Sequence, residues 1–222
     1  MSRARKNTPG RILFVGSGPG DPALLTVRAR EVLAAATLAF TDPDVDKGVV
    51  ALVGTALPVD AESDEPVTEV RPALGEPAEV AKTLVAEAKN GHDVVRIVSG
   101  DPLTTDSVIA EVTAVARTQV HFEVLPGLPA ASVVPSYAGM PLGSTHTEAD
   151  VRGEVDWAAL ATSRLTIVIL MGVATLGAIA EALVAAGLSP DTPAACIADG
   201  ATPQQRSVRA PLSQIASAAD RS

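Results

Sequence analysis

Twice in this chain a glycine, an aspartate and a proline stand in a row where an apolar run hands over to a helical one. Gly20-Asp21-Pro22 follows the run at 11–16, and Gly100-Asp101-Pro102 follows the run at 93–99. These residue types suit the cradling of a ligand by main chain. Glycine lets the backbone turn and lets a ligand come close. Aspartate caps the free N–H groups of the following turn, and proline fits its first helical position. Two readings stand for each loop: a ligand cradle, or a well-capped turn with nothing bound, since turn chemistry alone accounts for the residues. Asp42, at the end of the run 37–41, also has two readings. It is a general base beside the first loop, or the cap of the next helix.

Other chemistries are weakened by what is missing. A dinucleotide fingerprint beginning Gly16, Gly18 needs a third glycine at position 21, where Asp21 stands. There is no phosphate loop ending in Gly-Lys-Ser/Thr and no Gly-x-Ser-x-Gly elbow. Three histidines and one cysteine, none at ligand spacing, predict no metal site.

The elements that must position these loops alternate regularly. Short apolar runs at 11–16, 37–41, 93–99 and 120–125 read as strands, and helices are predicted within 26–36, 79–89 and 105–117. Residues 54–77 read as an acidic loop with one edge strand. This pattern predicts a mostly parallel sheet, whose carboxyl edge carries both Gly-Asp-Pro loops. The texture changes near 126–140. Beyond it we expect a helix over 130–139, a polar loop over 143–156, strands at 165–171 and 194–198, a helix over 176–186 and a last strand at 206–210. The division is therefore a basic tail at 1–10, an α/β domain at 11–126 and a second α/β domain at 127–222.

Composition narrows the class. Hydrophobic residues make up 47% and aromatics only 2%, so the core must be aliphatic. A net charge of −9 and the lack of aromatic stacking platforms predict no nucleic-acid partner. No apolar run reaches the roughly 20 residues of a membrane span, and Met1–Gly10 has no signal-peptide character. The lone Cys196 rules out an internal disulfide and fits the cytoplasm.

With these residues in view, the chain resembles the tetrapyrrole (corrin/porphyrin) methylases, and most of all their uroporphyrinogen-III C-methyltransferase branch. Five motifs carry the resemblance, in the family's order. They are Gly16-Ser-Gly-Pro-Gly-Asp-Pro-Ala-Leu-Leu-Thr26; Gly100-Asp101-Pro102; Leu125-Pro-Gly127 with Tyr137-Ala-Gly-Met-Pro-Leu142; Met171-Gly172; and Gly200-Ala-Thr-Pro-Gln-Gln-Arg206. The resemblance implies two α/β domains with a cofactor cleft between them, and a homodimer. It implies S-adenosylmethionine as cofactor, S-adenosylhomocysteine as product and methylation of uroporphyrinogen III toward precorrin-2, for sirohaem or cobalamin. The cofactor contacts it implies are Pro19, Ser99, Gly100, Asp101, Thr104, Pro129, Ala130, Met171 and Gly200, with Asp42 at the family's proposed base position. Read alone, Met171 is better explained as core filler than as a contact.

The match departs from the family where a polycarboxylate would bind. Pro43-Asp44-Val45 stands for the family's Arg-Leu-Val, and Leu103-Thr-Thr-Asp106 for its Phe-x-Phe-Gly-Arg. No lysine lies between Lys47 and Lys82. The cations expected to hold the substrate are therefore Arg28, placed beside Asp42 by its helix, and Arg71. The family's final apolar strand is not found after Arg206. This implies part of a longer protein, resembling actinobacterial fusions with a uroporphyrinogen-III synthase domain. Competing readings are a cofactor-binding module without catalysis, and a methylase of this fold acting on a later corrin intermediate or on ribosomal RNA. An oxidoreductase ranks last.

Overall fold

Aliphatic runs with apolar residues on both faces are stable only when covered on both sides, and the first half of the chain is built that way. The computed structural model describes residues 8–57 and 68–221. The basic tail with Arg3, Arg5 and Lys6, and the acidic stretch from Asp60 to Pro66, lie outside the described residues. The chain forms two compact units, Met1–Pro129 and Ala130–Ser222.

In the first unit, β1 (Ile12–Gly16) leads to α1 (Val27–Ala34), β2 (Leu38–Thr41) and the short α2 (Lys47–Val50). Then come β3 (Glu69–Pro72), α3 (Pro77–Lys89), β4 (Val94–Val98), α4 (Asp106–Ala116) and β5 (Phe122–Leu125). The five strands form one sheet in the order β3-β2-β4-β1-β5, every pair parallel. Alternation along each strand sorts the core into two layers. Ile12, Phe14, Leu38, Phe40, Val94 and Val98 pack under α3 and α4. Leu13, Val15, Ala39, Val95 and Ile97 pack against α1 and α2. The chain leaves β1 toward β2 but leaves β4 toward β5, in opposite directions across the sheet. Right-handed crossovers put the two following helices on opposite faces, and such a reversal opens a crevice at the carboxyl ends of the adjacent strands.

The second unit contains α5 (Ala130–Tyr137), β6 (His146–Asp150), α6 (Trp157–Thr162), β7 (Thr166–Leu170), α7 (Leu176–Ala185), β8 (Pro193–Ala198), β9 (Arg206–Pro211) and α8 (Ile215–Ala219). β6 pairs parallel with β7, and β8 pairs antiparallel with β9. The polar loop expected over 143–156 is corrected here. His146–Asp150 is a strand, in register from His146↔Thr166 to Asp150↔Leu170. Its side chains are polar because β6 is an edge strand, where the ladder with β7 and the packing of Ala149 suffice to hold it. Among the described residues, no helix is long and apolar enough to cross a membrane.

Candidate functional site

The first group of expected site residues gathers at the carboxyl edge of β1 and β4. These strands are in register from Ile12↔Val94 to Gly16↔Val98, so their loops leave side by side. Gly18 and Gly100 then pair reciprocally. The Gly18 N–H donates to the Gly100 carbonyl (3.2 Å), and the Gly100 N–H donates to the Gly18 carbonyl (2.9 Å). Both have left-handed backbones, φ 72° and 68°, which glycine adopts without strain. A third loop closes on them. A Cβ on Gly127 would lie 2.0 Å from the Gly100 carbonyl oxygen, so main chain packs directly on main chain. A Cβ on Gly100 itself would meet nothing within 4 Å. Space therefore opens over that residue at the strand edge.

The aspartates do what their position beside proline predicts. Asp21 accepts from the Ala23 N–H (2.8 Å) and Asp101 from the Leu103 N–H (2.9 Å), each capping a one-turn 3-10 helix that begins at Pro22 or Pro102. Asp101 does more: its second oxygen accepts from the Gly127 N–H (3.1 Å), tying the loop after β4 to the loop after β5. Thr104 turns back, its hydroxyl donating to the Asp101 carbonyl (3.0 Å). Pro19 and Ser99 flank the glycine pair, half-buried, and Pro129 closes the unit.

Asp42 ends β2, and its carboxylate accepts from Arg96 Nη2 at 2.6 Å. The capping alternative falls to Asp46, whose side chain accepts from the Gly48 N–H at the start of α2. Arg96 carried no signal as a lone arginine in an apolar run. It is 2% exposed and also donates to Glu111 through Nε (2.9 Å) and Nη2 (3.0 Å), and to the Ile97 carbonyl through Nη1 (2.8 Å). Burial pulls its proton affinity down, but the Glu111 hydrogen bonds, the Glu111 charge and Asp42 more than offset this, so the net shift is upward.

The two expected substrate cations each face carboxylates of the protein itself. Arg28 is exposed, and its Nη2 approaches Glu123 on β5 at 4.0 Å. β5 is at the opposite side of the sheet from β2, so Arg28 is not beside Asp42 as the helix position suggested. Arg71 donates to Glu69 (2.6 Å) and to Glu87, and lies over the Phe40 ring. These hydrogen bonds, Glu69 first, hold its proton affinity above the ordinary arginine value.

The remaining expected residues lie in the second unit. Ala130, Met171 and Gly200 all line one cavity of about 920 Å³, with Val134, Ile179 and Cys196 among the others. Met171 directly follows β7, and Asp199 and Ala201 flank Gly200 just after β8. All three have left-handed backbones, φ 60°, 51° and 59°. Such strain costs of order 1–3 kcal/mol per residue and collects where function requires it. At Gly200 a Cβ would strike Val134 Cγ1 at 2.4 Å, so only glycine lets α5 come this close. Burial pushes the Cys196 thiol up, away from the reactive thiolate.

The cavity also reads the strands in an unusual way. A pocket on one face of a strand touches every second residue. Here every residue from Arg164 to Val173, and from Thr192 to Ile197, contributes. The cavity therefore runs along the edges of β7 and β8. No ladder joins those edges among the described residues.

Three comparisons bear on this arrangement. Residues 11–216 match the family model described as Tetrapyrrole (Corrin/Porphyrin) Methylases. The S-adenosyl-L-methionine-dependent uroporphyrinogen III methyltransferase of Methanosarcina barkeri is 36% identical over 95% of this chain and 86% of its own length. A sirohaem synthase of Neisseria meningitidis is 35% identical over 99% of this chain, which spans only 47% of that relative. Among solved structures, uroporphyrin-III C-methyl transferase from Thermus thermophilus, complexed with S-adenosyl homocysteine, matches with a TM-score of 0.76 at 30% identity. That match covers 94% of this chain and 86% of the other.

Proposed function

The chain belongs to the tetrapyrrole (corrin/porphyrin) methylases, and on that premise we propose that it is a methyltransferase carrying a methyl group from S-adenosylmethionine to uroporphyrinogen III. The observation that carries the proposal is the reciprocal Gly18–Gly100 pair, clamped to Gly127 by Asp101 and open over Gly100. Such a cradle lets a ligand approach main chain directly, with no side chain in between. The similarity to a transferase solved with S-adenosyl homocysteine supports the same cofactor.

Bound S-adenosylmethionine supplies an activated methyl group on a positively charged sulfur. We assign its contacts, as the family resemblance implies, to Pro19, Ser99, Gly100, Asp101, Thr104, Pro129, Ala130, Met171 and Gly200. Met171 and Ala130 give an apolar surface for the adenine, the thioether adapting to its shape. The reaction is a displacement at carbon by an electron-rich pyrrole carbon, so the protein's main task is alignment. Holding two reactants in line can remove roughly 7–11 kcal/mol of barrier. The alkylated ring must then lose a proton, and we assign its acceptance to the Asp42 carboxylate. Arg71 is committed to two carboxylates, which leaves the exposed Arg28 as the better candidate for a substrate carboxylate. We further propose a homodimer working in the cytoplasm, and a place in sirohaem or cobalamin synthesis. Calorimetry with S-adenosylhomocysteine and with NAD tests the cofactor. Binding of the first alone is expected, and binding of NAD alone would overturn the proposal.

A further inference from the structure

Arg96 is a costly residue to bury, since a guanidinium taken from water must have its charge and its donors matched. Glu111 already meets the need for charge. It is 3% exposed and takes both Nε and one Nη2 hydrogen in a forked pair. A purely structural ion pair could stop there. Instead the other Nη2 hydrogen reaches Asp42 at the end of β2, whose side chain is 21% exposed. The three groups form a line from the core outward: Glu111 on α4, Arg96 on β4, Asp42 at the carboxyl edge. Arg96 is also wedged sideways, because its register partners on the neighbouring strands are Phe14 and Phe40.

We propose that Arg96, clamped by Glu111, is a positioning residue for methyl transfer, holding the Asp42 carboxylate in one orientation at the sheet edge and keeping it anionic. The inference rests on the reading of Asp42 as proton acceptor. The geometry requires arginine, because a planar fork can serve two carboxylates at fixed angles and a lysine cannot. Of the two carboxylates, Asp42 is the partly exposed one and Glu111 the buried one, so Asp42 is the end that an alkylated pyrrole would meet. Among the described residues, Asp44, Asp46 and Arg71 do not replace Arg96. Asp44 and Asp46 follow it in the loop, with Asp46 turned to the Gly48 N–H. Arg71 on β3 lies across Phe40 and is held by Glu69 and Glu87.

The test compares wild type, the double variant Arg96→Met with Glu111→Leu, and Arg96→Lys. The double variant removes the buried pair as a whole, which cores commonly accept. Three quantities are read: the pH profile of kcat, S-adenosylhomocysteine affinity, and the ¹³C titration of the Asp42 carboxyl, identified by its loss in Asp42→Asn. In the double variant the Asp42 midpoint should rise by about 1–3 pH units, the usual effect of an adjacent opposite charge. The acid limb of kcat should move with it, and kcat should fall about 10²-fold, the cost of small misplacement. Cofactor affinity should not change. Arg96→Lys, which keeps the charge, should lose kcat with a smaller midpoint shift, and it carries the test if the double variant does not fold. An unmoved carboxyl titration and acid limb would overturn the proposal. If wild type methylates no uroporphyrinogen III, the functional reading fails, and the carboxyl titration still decides whether Arg96 holds Asp42.

Discussion

At the scale of single residues, the site rests on side chains and main-chain conformations with narrow alternatives. Gly100 combines a left-handed backbone with open space where a Cβ would stand. Gly100→Ala should cost about 1–3 kcal/mol of S-adenosylhomocysteine affinity, the usual effect of overfilling a packed contact. Gly187 has φ 110° and equally open surroundings, but it follows α7, away from the strand ends. Gly187→Ala should lower stability and leave affinity unchanged, and calorimetry on the pair separates strain from occupancy. Asp42→Asn should leave cofactor binding intact and slow turnover by about 10²–10⁴, the worth of a positioned base; normal turnover would remove Asp42 from the chemistry. The placement of Gly100, Asp101 and Asp42 at strand ends was legible in the sequence because glycine, aspartate and proline there punctuate apolar runs. Arg96 was not, since burial and partners decide its role and neither shows in a string of letters.

At the scale of elements, the strands of the first unit and its longer helices read correctly because aliphatic periodicity and capping agreed. Thr26 caps α1 and Pro77 opens α3, as such residues do. β6 was missed because its polar side chains alternate without an apolar face, so its strand character comes from its partner β7. The docking of β3 on α3 carries a prediction about acid. Arg71, then His92, lower the proton affinity of Glu87 below the ordinary carboxylate value. A carboxylate depressed in the folded state adds stability above its unfolded value, about 4.3, and that stability is lost as pH falls through the lower folded value. Wild type should therefore lose stability more steeply than Glu87→Gln below about pH 4, measured by denaturant midpoints across pH. Parallel curves would mean that the Arg71 cluster is only a surface contact. Asp101→Asn should cost about 1–3 kcal/mol of stability, because the amide can replace only one of two acceptors, the one that caps the turn at Pro102 and the one that ties the loop after β4 to the loop after β5.

At the scale of the whole molecule, five motifs in order carried the family, and the match over residues 11–216 bears it out. The strand order β3-β2-β4-β1-β5 then explains why loops far apart in sequence are neighbours on the carboxyl edge of the sheet. The crossover reversal between β1 and β4 sets Gly18 against Gly100, and β5 brings Gly127 beside them. That placement could not be read from the letters, because several strand orders satisfy the same alternation of strand and helix. Pro43-Asp44-Val45 and Leu103-Thr-Thr-Asp106 carry no cation of their own. The central claim is methyl transfer to a tetrapyrrole, and one measurement addresses it directly. Enzymatically prepared uroporphyrinogen III is incubated without oxygen with the protein and S-adenosylmethionine, and the products are read by mass. Stepwise replacement of hydrogen by methyl on the tetrapyrrole is expected, with a matching yield of S-adenosylhomocysteine, and a lower yield of both in Gly100→Ala when S-adenosylmethionine is subsaturating. Tight binding of S-adenosylhomocysteine with no methylated tetrapyrrole would contradict the claim.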